Sequence, residues 1–107
     1  MIFIESKIFE KLRDNYFDEE SYRAFQNFLL EQPNLGDTIS GTGGLKKVRW
    51  SVKGKGKRGG IRIIYLYVTD KEHIHLLTVY AKNEMTDLTQ NEKKILKNIA
   101  EEIKNGQ

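Results

Sequence analysis

The sequence predicts an α+β fold in which an antiparallel β-meander packs on helices. Three observations lead there. Apolar residues in the first third recur at three- and four-residue spacing, the middle holds three consecutive strand-like runs, and the end carries one more amphipathic stretch opened by a capping signal. The predicted order is β-α-α-β-β-β-α, with two N-terminal helices and one C-terminal helix. At 107 residues, with no repeat or low-complexity segment, the chain reads as one domain spanning 1–107.

Residues 1–5 carry Ile2, Phe3 and Ile4 and read as a short buried first strand. Ser6 is a natural N-cap for a first helix with Ile8, Phe9 and Leu12 on one face, ending near Asp14-Asn15. Asp18 caps a second helix, whose positive first turn suits Glu19 and Glu20. Tyr22, Phe25, Phe28 and Leu29 give it one buried face, read here as core, and Pro33, Asn34 and Gly36 stop it. Residues 36–44, with four glycines, read as a loop. The strand-like runs are 45–52, 61–68 and 72–82, joined by the basic, glycine-rich segment 53–60 and by a tight turn at Asp70-Lys71. Thr89-x-x-Glu92 is a capping box for a last helix with Ile95, Leu96, Ile99 and Ile103 inside.

Composition narrows the function classes. A content of 38% hydrophobic and 31% charged residues is that of an ordinary globular protein rather than a disordered one. No apolar run approaches the roughly 18 residues of a membrane span, and Glu5 breaks the first apolar run, so neither a membrane anchor nor a secretory signal is expected. The absence of cysteine excludes a disulfide scaffold, a thiolate nucleophile and a Cys-type metal centre. A cytoplasmic domain without a buried cofactor is the expectation.

Charge is arranged unevenly. Positions 38–69 contain no acid, yet hold Lys46, Lys47, Arg49, Lys53, Lys55, Lys57, Arg58 and Arg62. The net charge is +3, so the remainder of the chain carries −5. Solubility alone does not require acids to be excluded from 32 consecutive residues, whereas attraction of a polyanion does; a solvated surface loop is the plainer alternative.

Strand parity places the charges. Leu45, Lys47 and Arg49 share one face of their strand, with Lys46, Val48 and Trp50 opposite; Arg62 shares a face with Ile64, Leu66 and Val68; Ile74, Leu76, Thr78, Tyr80 and Lys82 are expected to align. Arg62 opens an otherwise apolar strand, where a guanidinium needs a partner. That partner is either a distant carboxylate or an external anion such as phosphate, onto which arginine forks readily. The segment Gly54-Lys55-Gly56-Lys57-Arg58-Gly59 matches Gly-x-Gly-x-x-Gly, but it precedes a strand rather than a helix, so a dinucleotide site is set aside in favour of a basic hairpin loop. His73-x-His75 lacks a third ligand at metal-binding spacing, Ser40 and Ser51 lie in no nucleophile elbow, and the acids cluster in helices and turns, so no metal site is expected. If the chain is an enzyme, Lys, Arg and Tyr must carry the chemistry. Such a set suits RNA cleavage by the ribose 2′-hydroxyl, where cations stabilise the charge gathering on phosphate and a lysine crowded by like charges can accept a proton.

Gly44-Leu45-Lys46-Lys47-Val48-Arg49, Gly56-Lys57-Arg58-Gly59-Gly60-x-Arg62-Ile63-Ile64-Tyr65 and Leu76-Leu77-Thr78-Val79-Tyr80-x-Lys82-Asn83-Glu84 together resemble the HigB branch of the RelE/ParE toxin superfamily, in the same order and over essentially the whole chain. The resemblance implies a RelE-like fold and a metal-independent, ribosome-dependent mRNA endonuclease that cuts in the A site of the 70S ribosome. It also implies inhibition by a HigA-like helix-turn-helix antitoxin, and contact with operator DNA only through the antitoxin complex. Carried onto this chain, Arg49, Arg62, Lys82 and Lys57 match catalytic positions. Lys46, Lys47, Lys53, Lys55, Arg58, Tyr80 and Asn83 match positions facing RNA and ribosome. Some relatives carry an arginine, or a late tyrosine or histidine, at the Lys82 position; no tyrosine follows Tyr80 here, so the general base of those relatives has no counterpart, and Lys82, Lys57 and Lys55 stand as alternatives. Two competing functions share the fold or the charge: a ParE-like gyrase inhibitor and a non-catalytic RNA- or ribosome-binding domain.

Overall fold

The computed structural model describes residues 1–52 and 60–106. Three helices and a five-stranded mixed sheet follow the order β1 (Ile2–Glu5), α1 (Lys7–Tyr16), α2 (Glu19–Glu31), β2 (Asp37–Thr38), β3 (Lys46–Trp50), β4 (Ile61–Val68), β5 (His73–Ala81) and α3 (Gln90–Lys104). Strand order in the sheet is β1-β5-β4-β3-β2. The α+β reading and the three-stranded antiparallel meander therefore hold, with two corrections. The sheet is mixed, because β1 runs parallel to β5, pairing Ile2 with His73 through Glu5 with Leu76. A fifth strand also lies in what reads as loop: β2 pairs Asp37 with Lys47 and Thr38 with Lys46.

Each helix begins where a side chain satisfies the orphan backbone donors of its first turn. Ser6 accepts from the Phe9 N–H, and its own hydroxyl donates to the Leu77 carbonyl at 2.7 Å, which docks α1 on β5. Asp18 with Ser21, and Thr89 with Glu92, form reciprocal capping boxes. The first helix runs on to Tyr16, one residue past the expected end at Asp14-Asn15.

Two apolar layers sandwich the sheet. On one face Phe9 and Tyr16 of α1 and Phe25 and Leu29 of α2 pack on Val48, Ile61, Ile63, Tyr65, Ile74, Leu76, Val79 and Ala81. On the other, Leu96 and Ala100 of α3 cover Leu45, Ile64, Leu66, Leu77 and Tyr80. Two sequence expectations change here. Ile8 and Ile95 sit at the rims of these layers and are exposed rather than internal, and Ile2 leaves the first strand open at the sheet edge. The expected alignment of Ile74, Leu76, Thr78 and Tyr80 is broken by an irregularity: Ile64 pairs with Thr78 but Tyr65 with Leu76, so Leu77 is an extra residue in β5. Ile74 and Leu76 face α1 and α2, whereas Leu77 and Tyr80 face α3.

Tyr65 fixes the return from α2 into the sheet. Its fully buried hydroxyl accepts from the Gly36 N–H at 3.0 Å and donates to the Pro33 carbonyl at 2.8 Å. Gly36 has to be glycine for this approach, since a Cβ there would lie 2.9 Å from the Tyr65 ring and hydroxyl.

Candidate nucleic-acid interface

The antiparallel register sets three functional positions in one row. Arg49 of β3 is paired with Arg62 of β4, and Arg62 with Tyr80 of β5. Directly opposed residues project from the same face, with Cβ atoms about 5 Å apart. Two guanidinium stems side by side repel each other and favour an anion shared between them. Arg49 is exposed and Arg62 half-buried, its Nη1 directed at the Ile61 carbonyl 3.4 Å away. Lys47 joins the same face two residues before Arg49, and Lys82 follows Tyr80 immediately past β5. The Lys82 N–H donates to the Gly60 carbonyl at 3.1 Å, which joins the end of β5 to the start of β4 beside Arg62.

Gly60 is required at that joint. Its φ of +78° is left-handed, and a Cβ would stand 2.6 Å from the Trp50 carbonyl oxygen.

The structure separates the other expected site residues. Lys46 points to the opposite side of β3, where its Nζ lies 3.3 Å from Thr38 Oγ1 and 3.5 Å from the Gly36 carbonyl; it braces β2 and stands apart from the arginine row. Tyr80 is only 4% exposed, so it floors the site from within the α3 layer rather than presenting a ring to solvent. Its hydroxyl has no hydrogen-bond partner among the described residues. Burial, then the Asp87 charge, raise its pKa against the opposing pull of Arg62, so the phenol stays protonated at neutral pH. Asn83 is exposed in the turn after β5. Lys53, Lys55, Lys57 and Arg58 lie outside the described residues.

Asp87 escapes a reading by sequence position. It comes from the acid-bearing C-terminal third yet folds onto the basic face, with Oδ1 3.6 Å from Lys47 Nζ. The Leu88 N–H donated to its side chain lowers its pKa first, with the Lys47 charge adding to the effect. One carboxylate thus tempers the cationic surface. Its sequence signal is faint: an Asp two residues before the Thr89 cap. His73 and His75 stand with ring centroids 6.0 Å apart, and no group of three His, Asp or Glu suited to a metal occurs among the described residues. No described helix is long and apolar enough to cross a membrane.

The site is thus an open, cation-lined end of a sheet, able to hold a phosphodiester against two arginines with lysines on its flanks. Over residues 5–107 the chain matches the family described as the RelE toxin of the RelE/RelB toxin–antitoxin system. It belongs to the RelE toxin family. The isolated Escherichia coli RelE toxin superposes on this RelE-family toxin with a TM-score of 0.57 at 14% identity, over 92% of this chain and 97% of that one. A conserved hypothetical protein of Helicobacter pylori, HP0892, gives 0.54 at 18% identity over 78% and 97%. The fold of this toxin is accordingly that of the solved RelE structures.

Proposed function

We propose that this RelE-family toxin is a ribosome-dependent mRNA endonuclease that cuts translated mRNA in the A site. Its type is HigB-like, acting in the cytoplasm as a single domain and restrained by a HigA-like helix-turn-helix antitoxin through which alone it meets operator DNA. The observation that carries the reading is the Arg49–Arg62 pair in direct register, with Lys47 on the same face of β3 and Lys82 in the turn that the Gly60 carbonyl holds at the start of β4.

In the reaction the ribose 2′-oxygen attacks the adjacent phosphorus and the bond from phosphorus to the 5′-oxygen breaks. The departing 5′-oxygen takes a proton from water to leave as a hydroxyl, and a 2′,3′-cyclic phosphate remains on the upstream fragment. Arg62, held by a rigid central strand, takes the non-bridging oxygens as negative charge gathers there, and Arg49 shares them. The proton of the 2′-hydroxyl goes to a lysine, with Lys82, Lys57 and Lys55 as the candidates and Lys82 the one this reading takes, since the Tyr80 phenol is buried and holds its own proton. Chemistry of this kind uses the RNA's own nucleophile, so positioning and charge suffice, and the ribosome supplies a strained, aligned substrate.

Primer extension on a reporter mRNA, in translation extract with and without active ribosomes, tests it. Wild type is expected to give cuts at codon boundaries only when ribosomes are translating. Arg62→Ala is expected to cut about 10²–10³-fold more slowly, the range for removing one charge-stabilising donor, with ribosome binding largely retained. Intact mRNA in every lane refutes the proposal and directs attention to gyrase.

A further inference from the structure

A polar contact outside the arginine row reaches into the turn that carries Lys82. Tyr16, the last residue of α1, is 8% exposed within the layer formed by α1 and α2, and its hydroxyl donates to Glu84 Oε1 at 2.7 Å. The Ala81 backbone also hydrogen-bonds this phenol. One side chain from the first helix therefore grips both ends of the segment from Ala81 to Glu84. The backbone there is folded tightly, with the Glu84 and Met85 N–H groups both donating to the Ala81 carbonyl at 3.0 and 3.1 Å.

The direction of the grip matters. Tyr16 belongs to the α1/α2 layer, whereas Tyr80 belongs to the α3 layer on the other side of the sheet. Glu84 is an acid two positions from Lys82 in an exposed turn, the nearest carboxylate to it along the chain. Tied to Tyr16, the carboxylate is drawn toward the helix pair, away from the face that holds Arg49 and Arg62.

We propose that Tyr16 is a positioning residue for RNA cleavage: it holds the Glu84 carboxylate on the α1 side, keeping that charge off Lys82 and fixing the turn that presents Lys82 and Asn83. The inference rests on the endonuclease reading above. The phenol's pKa, pushed up to about 12 by burial and by the Glu84 contact, agrees with a hydroxyl that remains a donor throughout the working pH range.

Tyr16→Phe keeps the ring in the core and removes only the donor. Glu84→Gln keeps an acceptor for Tyr16 and removes only the charge. Two readouts on the full chain decide the matter: the rate of ribosome-dependent cleavage, and nuclear Overhauser contacts of the residue-84 side chain in the free toxin. Tyr16→Phe is expected to cleave about tenfold more slowly, with the Glu84 contacts moving from the residue-16 ring to the Lys82 side chain. Glu84→Gln alone stays within about twofold of wild type, and the double variant recovers to within about threefold, because a neutral amide cannot form an ion pair with Lys82. A purely structural hydroxyl predicts a double variant at least as slow as Tyr16→Phe. That result, or unchanged Glu84 contacts in Tyr16→Phe, overturns the proposal. If wild type itself leaves mRNA intact, the endonuclease reading fails while the Overhauser contacts still decide whether Tyr16 governs where Glu84 lies.

Discussion

Replacing Tyr65 by Phe removes one oxygen from the centre of the protein and leaves two backbone groups without their partner. The Gly36 N–H is buried, and its 3.0 Å bond to the phenol is lost outright. An unsatisfied buried donor costs about 1–3 kcal/mol. The Pro33 carbonyl is half-buried and can turn to water, which adds on the order of 0.5 kcal/mol or less. The ring stays in the cavity it already fills, so no cavity penalty enters. The expected loss is about 2 kcal/mol, which in a domain of this length lowers Tm by about 8 °C. Urea unfolding followed by far-ultraviolet circular dichroism should show the midpoint falling with m unchanged. Tyr67→Phe on the same strand, whose hydroxyl has no hydrogen bond among the described residues, is the control and should change stability by less than about 0.5 kcal/mol. Cleavage by the folded Tyr65→Phe protein should stay within about threefold, because β3 and β4 remain paired through Arg49 and Arg62. A loss below about 0.5 kcal/mol for Tyr65→Phe would refute the reasoning, since it would mean the 33–36 segment does not depend on the phenol.

Gly60→Ala combines a left-handed φ with a Cβ 2.6 Å from the Trp50 carbonyl, so it should destabilise by about 2 kcal/mol or more and slow cleavage as well, because the Gly60 carbonyl receives the Lys82 N–H; thermal melts and primer extension check both. His75 is held below its ordinary pKa of 6.5 by burial first and then by His73 and Lys71. The unfolded chain therefore binds more protons than the native one just below pH 6.5, and stability should fall as pH falls through that window. His75→Gln should flatten the dependence in urea titrations between about pH 5 and 7, and an unchanged slope would assign it elsewhere.

Much of the fold is legible in short-range chemistry. Ser6, Asp18 and Thr89 each cap the helix they announce, since a cap is a contact between residues three apart and needs no tertiary information. Strand parity puts Lys47 with Arg49 and turns Lys46 away, and the structure agrees; that Arg62 joins them follows only from the register of β3 on β4. Parity fails at Leu77, because an extra residue in one strand leaves no mark in a continuous run of β-formers. It also has nothing to say of β2, two polar residues whose strand conformation is imposed by β3. The acids that shape the site, Asp87 on Lys47 and Glu84 on Tyr16, are long-range contacts with no local signature, so the site reads from sequence as more purely cationic than it is.

The parallel pairing of β1 with β5 links the two ends of the chain. Ser6 donates to Leu77 across 71 positions and Tyr16 to Glu84 across 68, whereas β3, β4 and β5 follow one another. During synthesis the first strand emerges long before its neighbour exists, and its exposed Ile2 has only solvent beside it until β5 is made. Closing so long a loop is slow relative to forming the meander. The grip of α1 on the Lys82 turn therefore closes a far longer loop than any contact of the meander, and a nascent chain halted before residue 73 holds the arginines of the site without the strand that completes it.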